Sequence, residues 1–344
     1  MQLFASDLGV DLGTSNVLIY MEGKGVVVRE PAVVAVDKNT GRILQVGTEA
    51  RNMLGRTPGN VVAMRPLKEG VISDHAMTVR LLQTLFARTG QKAFLSKPRV
   101  VICVPSGVTE VQERTVINAA IEAGARRVYL IEEPRAAAMG ANLDINGPKG
   151  QMVVDIGGGT TDVAVLTLGA VAVSSSLKVA GDSFDEAIAR YVRRRHGVVI
   201  GLTTAEDIKI KIGSVWERPE EITAMVRGRD AKTGMPREIE LTSTEVFEVL
   251  FRLARQIADE VVSVLEDASP ELVGDIAETG ITLTGGGSQL WGMAQLIESR
   301  TGLPCTIADD PDSCVAYGCG KALSWLNHMT EGVINIAKKR LMRT

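Results

Sequence analysis

The sequence predicts an α/β protein made of two similar halves, and three observations predict it. An unusual hairpin pattern occurs twice; short antiparallel strand runs give way to alternating strands and helices, twice over; and 344 residues suit two domains of ordinary size. The first hairpin reads Val10-Asp11-Leu12-Gly13-Thr14-Ser15-Asn16-Val17, and the second Val154-Asp155-Ile156-Gly157-Gly158-Gly159-Thr160-Thr161-Asp162-Val163. In each, an apolar stretch delivers an Asp, an aliphatic residue, then Gly and small residues before a second apolar stretch. This is a β-hairpin with a carboxylate on one side and backbone N–H donors at its tip.

Along the chain, strands are expected at 8–12, 17–21 and 25–29, at 32–37 after Pro31, and at 43–46 beyond the turn 37–41. Val79, Leu82, Leu85 and Phe86 recur at helical spacing in 77–89, which Gly90 closes. Pro98 precedes a buried strand at 99–104. Thr109 and Gln112 form a capping box that opens a helix to about Ala123, and 128–131 is another strand. After the second hairpin come strands at 163–168 and 171–177, a helix at 184–196 and a helical stretch at 204–212. Strands are read at 221–225 and 238–241, then a long helix over 244–265 with Val246, Val249, Leu250, Leu253, Ile257, Val261 and Val264 on one stripe. A strand at 281–283 leads into Thr284-Gly285-Gly286-Gly287-Ser288, with helices expected at 290–300 and 315–329. The boundary between the halves falls best in 142–150.

Composition excludes several classes. Hydrophobic residues make up 45% and charged residues 23%, as in ordinary globular domains. Net charge is −3 and aromatics are 4%, which argue against a nucleic-acid surface. Cys103, Cys305, Cys314 and Cys319 form no Cys-x-x-Cys pair, which suits a reducing compartment, and Cys103 lies in an apolar run as a core thiol. The N-terminal residues lack the basic start and apolar core of a signal peptide, and no stretch approaches the roughly 20 apolar residues of a membrane span. A cytosolic protein is expected.

The chemistry-bearing patterns are oxygen donors and bare backbone. Asp11 beside a turn offers a carboxylate for hydrated Mg²⁺, although a plain polar turn would look similar. Three glycines inside a strand pattern after Asp155 cost stability, so a close backbone approach, commonly to phosphate, is expected there. The triple glycine at Gly285, Gly286 and Gly287 could hold a phosphate, a nucleotide, or only a tight turn. It is not a Walker loop, since no Gly-Lys-Ser/Thr follows, and no G-x-G-x-x-G opens a Rossmann unit. Glu132-Glu133-Pro134 ends a strand where open α/β sheets place ligands, so one acid could polarise a water; two acids at a helix start explain it equally. Glu206 and Lys209, three apart on a helix, are either a solvated ion pair or hydrogen-bonding groups for a ribose and base. His75, His196 and His328 lie near no obvious nucleophile and read as structural or surface residues.

The order of these motifs resembles the actin, Hsp70 and sugar-kinase superfamily of ATPases. It is more similar still to the bacterial actin MreB and MreB-like family. The likeness runs through 11–16, 25–35, Pro66-Leu67-Lys68-Glu69-Gly70-Val71-Ile72, Cys103-Val104-Pro105, 131–140, 155–163, Gly181-Asp182-Ser183-Phe184-Asp185, 206–213 and 284–288. Two departures, Ser15 where Ala is usual and Asp162 where Glu is common, leave it intact.

The resemblance implies an actin-like ATPase fold, two duplicated ribonuclease-H-like halves with inserted small subdomains around a nucleotide cleft. Subdomain IA would take 1–32, 66–141 and 316–344; IB 33–65; IIA 142–181 and 244–315; IIB 182–243. ATP or ADP with Mg²⁺ would be the cofactor set, and Asp11 and Asp155 would hold the metal largely through water. Thr14, Ser15, Asn16, Val17, Gly157, Gly158, Gly159, Thr160 and Thr161 would bind phosphates. Glu206, Asp207, Ile208 and Lys209 would meet the ribose and adenine, with Gly285, Gly286, Gly287 and Ser288 beneath. Glu133 would orient the attacking water, assisted by Thr160 near the γ-phosphate and by Asp155. The implied partners are copies of the chain itself, in single or paired filaments, the inner face of the cytoplasmic membrane, and the rod-shape machinery of cell-wall elongation; no nucleic acid is implied. Leu3 and Phe4, or Phe94 and Leu95 flanked by Lys92 and Lys97, are the expected membrane contacts.

Overall fold

The computed structural model describes residues 6–90 and 97–327. The chain divides into two compact units, one running to Asn146 and resuming at Asp312, the other Gly147–Pro311. The first border falls inside the 142–150 stretch.

The first unit begins with an antiparallel meander, β1 (Leu8–Leu12), β2 (Asn16–Met21) and β3 (Gly25–Pro31). β4 (Val34–Asp37), β5 (Ile43–Val46), α1 (Thr48–Arg51) and β6 (Val61–Met64) form a small insertion with strand order β5-β4-β6. β7 (Leu67–Lys68) and β8 (Val71–Ile72) are joined by Glu69 and Gly70, both at positive φ, the geometry of a two-residue hairpin turn. α2 (His75–Arg88), β9 (Arg99–Val104), α3 (Glu110–Glu122), β10 (Arg127–Glu132) and α4 (Glu133–Gly140) follow. The main sheet is ordered β10-β9-β1-β2-β3, with β9 and β10 parallel to β1. α2 starts where Asp74 accepts a hydrogen bond from the Met77 amide, and α3 where Thr109 and Gln112 close the expected capping box. Their apolar faces, with Leu82, Leu85, Val116 and Ala120, bury against Val10, Ile19 and Ile102 of the sheet.

The second unit repeats this plan. β11 (Gln151–Ile156), β12 (Thr161–Thr167) and β13 (Ala170–Leu177) form the meander. An insertion follows: α5 (Gly181–His196), β14 (Val198–Val199), α6 (Leu202–Ile212), β15 (Thr223–Asp230) and β16 (Pro236–Thr242), with strand order β14-β15-β16. Then come α7 (Ser243–Asp267), α8 (Pro270–Thr279), β17 (Ile281–Thr284), a 3-10 turn at Gly286–Gln289, α9 (Met293–Thr301) and β18 (Cys305–Ile307). The sheet is ordered β13-β12-β11-β17-β18, with β17 and β18 parallel to β11. Strand for strand this is the sheet of the first unit: three antiparallel strands and two parallel ones. α7 buries Val246, Leu250, Ile257, Val261 and Val264 of the predicted stripe.

The chain returns to the first unit as α10 (Cys314–Ala322), continued by a 3-10 turn at Leu323–Asn327. α10 lies so close to α4 that a Cβ on Gly140 would overlap the Cys314 carbonyl, and one on Gly318 the Ala136 carbonyl. Gly here is a packing requirement that clamps the helix carrying Glu133.

Several boundaries differ from the periodicity reading. The strand expected from 32 begins at Val34, because the Ala32 amide donates to the Ser15 carbonyl and Val33 to Pro31 in a turn. The helix expected from 290 begins at Met293, since Gly292 adopts φ 86 and Trp291 bridges Ser214. Where one helix is expected over 315–329, a nine-residue helix starts at Cys314 and a 3-10 turn follows to Asn327, while 328–329 lie outside the described residues. Periodicity predicts none of α1, β6, β7, β8, β14, α8 and β18, although Ser269-Pro270-Glu271 is a helix-start signature. His75 and His196 pair with Glu122 and Glu245, while His328, Leu3, Phe4, Phe94 and Leu95 lie outside the described residues.

Candidate functional site

Each sheet presents one carboxylate at the same step of the same hairpin. Asp11 stands opposite Leu18 and Asp155 opposite Asp162, one residue before the last pair of each ladder. The connections are four residues long in both cases, 13–16 and 157–160. Both carboxylates are buried at the root of their loop, Asp11 at 9% and Asp155 at 2% exposure. A buried carboxylate needs donors or a cation.

In the first unit the neighbouring strand supplies Cys103, whose thiol donates to Asp11 Oδ1 at 3.5 Å. A hydrogen bond with Cys319, burial, and the nearby carboxylates of Asp11 and Glu133 push the Cys103 thiol well above the ordinary thiol range. It therefore stays a protonated donor to Asp11, and Glu133 stands at the start of α4. Thr14 is buried, and its Oγ1 accepts the Gly70 amide at 3.0 Å, so its own proton is available to another acceptor. The Ser15 carbonyl takes the Ala32 amide, while Asn16 is exposed at the tip.

In the second unit β17 supplies Thr284 directly opposite Asp155, and Thr284 Oγ1 donates to Asp155 Oδ1 at 2.6 Å. The loop closes with the Gly157 amide on the Thr160 carbonyl at 2.9 Å. Behind it, the amides of Gly181 and Asp182 at the start of α5 donate to the Gly157 and Gly158 carbonyls at 3.1 and 2.8 Å. Gly285, at φ 76, and Gly287 lie against Ile156, where a Cβ would overlap the strand. The second hairpin and the 285–288 turn thus form one contiguous surface of backbone within this unit.

The candidate residues divide by which atoms they can offer. Val17 and Ile208 are core side chains, Thr161 Oγ1 is committed to the Val179 carbonyl, and Ser288 Oγ to that of Gly285, so these four offer backbone groups only. Lys209 is turned to Asp185 at 2.9 Å and to the Gly181 carbonyl at 3.0 Å. Glu206 is half-buried and Asp207 exposed on α6. Thr160 is buried, and Gly286 is exposed. Sequence reasoning missed Thr284 and Cys103 as partners of the two aspartates, Gly70 as the partner of Thr14, and Asp185. Only the pairing of distant strands reveals them.

Asp11 and Asp155 are each a hard oxygen donor at the root of a four-residue loop. Mg²⁺ takes one or two carboxylates with water and phosphate oxygens, so either carboxylate by itself fits it. Among the described residues no group of three or more His, Cys, Asp or Glu stands ready to hold a metal alone.

A repeated five-strand sheet, each copy with an Asp-glycine hairpin at its centre, defines the actin-like fold. The MreB/Mbl protein family profile matches residues 5–331. The chain belongs to the MreB/Mbl family. It is 49% identical over 323 residues to the cell shape-determining protein Mbl of Bacillus subtilis, covering 93% of this chain and 96% of that one. It is 47% identical over 330 residues to the cell shape-determining protein MreB of Escherichia coli K12, covering 94% and 95%. Among solved structures, MreB5 of Spiroplasma citri bound to AMPPNP superposes with a TM-score of 0.90 at 38% identity, over 94% of this chain and 97% of that one; its ADP-bound form gives 0.89.

Proposed function

We propose that this chain is a cell-shape cytoskeletal ATPase: it binds ATP with Mg²⁺, polymerises into filaments on the inner face of the cytoplasmic membrane, and organises peptidoglycan synthesis through the rod-shape machinery. The observation that carries the reading is the register-matched pair Asp11 and Asp155, each at the root of a loop with backbone amides to offer. Relatives that determine cell shape, and one solved with AMPPNP and with ADP, support it.

In this reading Asp11 and Asp155 hold the hydrated metal, which neutralises charge developing on the phosphates. The amides of residues 158–160 and the hydroxyls of Thr14 and Ser15 cradle phosphate oxygens. Glu133, fixed by the α4–α10 clamp, orients and polarises the attacking water, with Thr160 nearby. Phosphoryl transfer needs positioning and electrostatics, not a covalent nucleophile. No helix among the described residues is long and apolar enough to cross a membrane. Membrane association in this reading is peripheral, through Leu3 and Phe4 or Phe94 and Leu95.

Sedimentation with ATP, ADP and no nucleotide, followed by electron microscopy on lipid vesicles, tests the proposal. Filaments that depend on ATP are expected; their absence in every nucleotide state would leave a nucleotide switch without a cytoskeletal role. Phe94→Ser with Leu95→Ser should reduce vesicle co-sedimentation, and undiminished binding would remove the loop from the account.

A further inference from the structure

Lys209 and Asp185 form a nearly buried ion pair, 2.9 Å apart, with 16% and 5% of their side chains exposed. Lys209 also donates to the Gly181 carbonyl at 3.0 Å. Gly181 and the next residue, Asp182, are the two whose amides hold the second phosphate loop from behind, on the carbonyls of Gly157 and Gly158. Gly181 is closely approached: a Cβ there would lie 3.3 Å from both the Gly157 carbonyl oxygen and Lys209 Nζ. One unbroken chain of contacts therefore runs from Asp185 through Lys209 and Gly181 to the glycine loop.

A buried ion pair is weak evidence for stability, because the desolvation of both charges offsets their attraction. The geometry explains what this one does instead. With its ammonium spent on Asp185 and a carbonyl, Lys209 fixes the first turn of α5 at one distance from α6. The first turn of α5 in turn sets the height of the loop whose amides must all point at one phosphate chain.

We propose that Asp185 and Lys209 are positioning residues: together they are a strut that holds the N-terminal turn of α5 against the second phosphate loop and pre-organises its amides. The inference rests on the nucleotide-binding reading above. It differs from the role that the family resemblance implies for Lys209, a contact to the ribose or adenine. A base contact would be one independent hydrogen bond, whereas a strut fails as a unit when either end is removed.

The charged groups facing Asp185 are Lys209 and Glu206 on α6 and Asp182 on α5. Burial pushes its carboxyl up to about 6 from 3.8, against the pull of Lys209, with Glu206 and Asp182 adding to the rise. Between those two values the folded state holds a proton that the unfolded state has released. This group therefore makes the fold more stable, not less, as pH falls through that window. Its ion pair is lost over the same window, so a weakening of phosphate binding there is separable from unfolding.

The test is ATP binding with Mg²⁺, by titration calorimetry, to wild type, Asp185→Asn, Lys209→Met and the double variant, with thermal melting of each as the folding control. At pH 7.5 each single variant should bind about tenfold more weakly, and the double variant no more weakly than the singles. Wild-type affinity should fall between pH 7.5 and 5.5 by more than that of Asp185→Asn, whose profile retains only the titration of other groups. Losses that add in the double variant, or unchanged affinity in either single, would overturn the strut. Failure of the wild type itself to bind ATP would instead overturn the nucleotide reading. Inorganic tripolyphosphate separates the two roles of Lys209: weakened binding to Lys209→Met supports the strut, and unchanged binding alongside weakened ATP restores the base contact.

Discussion

The two hairpins share a register and differ in how each loop is held. The first is chemically decorated: Thr14, Ser15 and Asn16 follow Gly13, and the loop is tied by a side chain, Thr14 Oγ1 to the Gly70 amide. The second opens with Gly157, Gly158 and Gly159 before Thr160, and its glycines are anchored through their carbonyls by the first turn of α5. Their aspartates differ in the same way. Asp155 has a hydroxyl donor at 2.6 Å from Thr284; Asp11 has a thiol at 3.5 Å from Cys103, one ladder step past the Val10–Ile102 pair. One scaffold has thus been fitted twice, with side-chain-bearing residues after Gly13 in one loop and three consecutive glycines in the other. The second loop requires outside support because glycine supplies none of its own.

The comparison can be broken most sharply at the carboxylates. Asp155→Asn keeps an acceptor for Thr284 but removes the charge. Mg²⁺-dependent phosphate release should fall by about three orders of magnitude while the fold persists; a fully active variant would end the metal role of this half. Glu133→Gln should lower hydrolysis by about two orders of magnitude with ATP affinity retained, because orienting water matters only in the reaction. A matching loss of affinity in a binding titration would move Glu133 into the binding surface.

The donors give the smaller effects. Thr284→Val removes the hydroxyl from a carboxylate that is 2% exposed, and should cost about 1–3 kcal/mol in a denaturant melt. Cys103→Thr converts the first half to the chemistry of the second at the equivalent strand position. It should change stability by less than about 1 kcal/mol, since a better donor offsets the loss of a well-packed thiol. A large loss there would mean that the Cys103–Cys319 contact carries structural weight that its position relative to Asp11 does not explain.

Much of this site was legible because it is local. A carboxylate, a turn and consecutive glycines within ten residues announce a phosphate loop, since glycines in a strand pattern need a reason to be there. The capping box at Thr109 and the stripe of α7 were legible for the same cause: spacing along one helix. Lys209 shows the limit. Its position three residues after Glu206 is equally compatible with a solvated pair or a ligand contact, and neither reading contains Asp185, 24 positions away on another helix. The start of the helix after Gly292 was also hidden, because a bridge from Trp291 to Ser214 decides it.

By itself, then, the sequence determined the two-half α/β plan, the pair of aspartate hairpins and the family, all of which rest on short-range pattern and motif order. Tertiary structure alone decided which donor stands opposite each aspartate, that Thr161 and Ser288 turn their hydroxyls inward, that Lys209 is spent on Asp185, and that Gly140 and Gly318 clamp α4. Each of these depends on strands or helices far apart in the chain meeting at one register. Local propensity carries no information about such meetings until the sheet has formed.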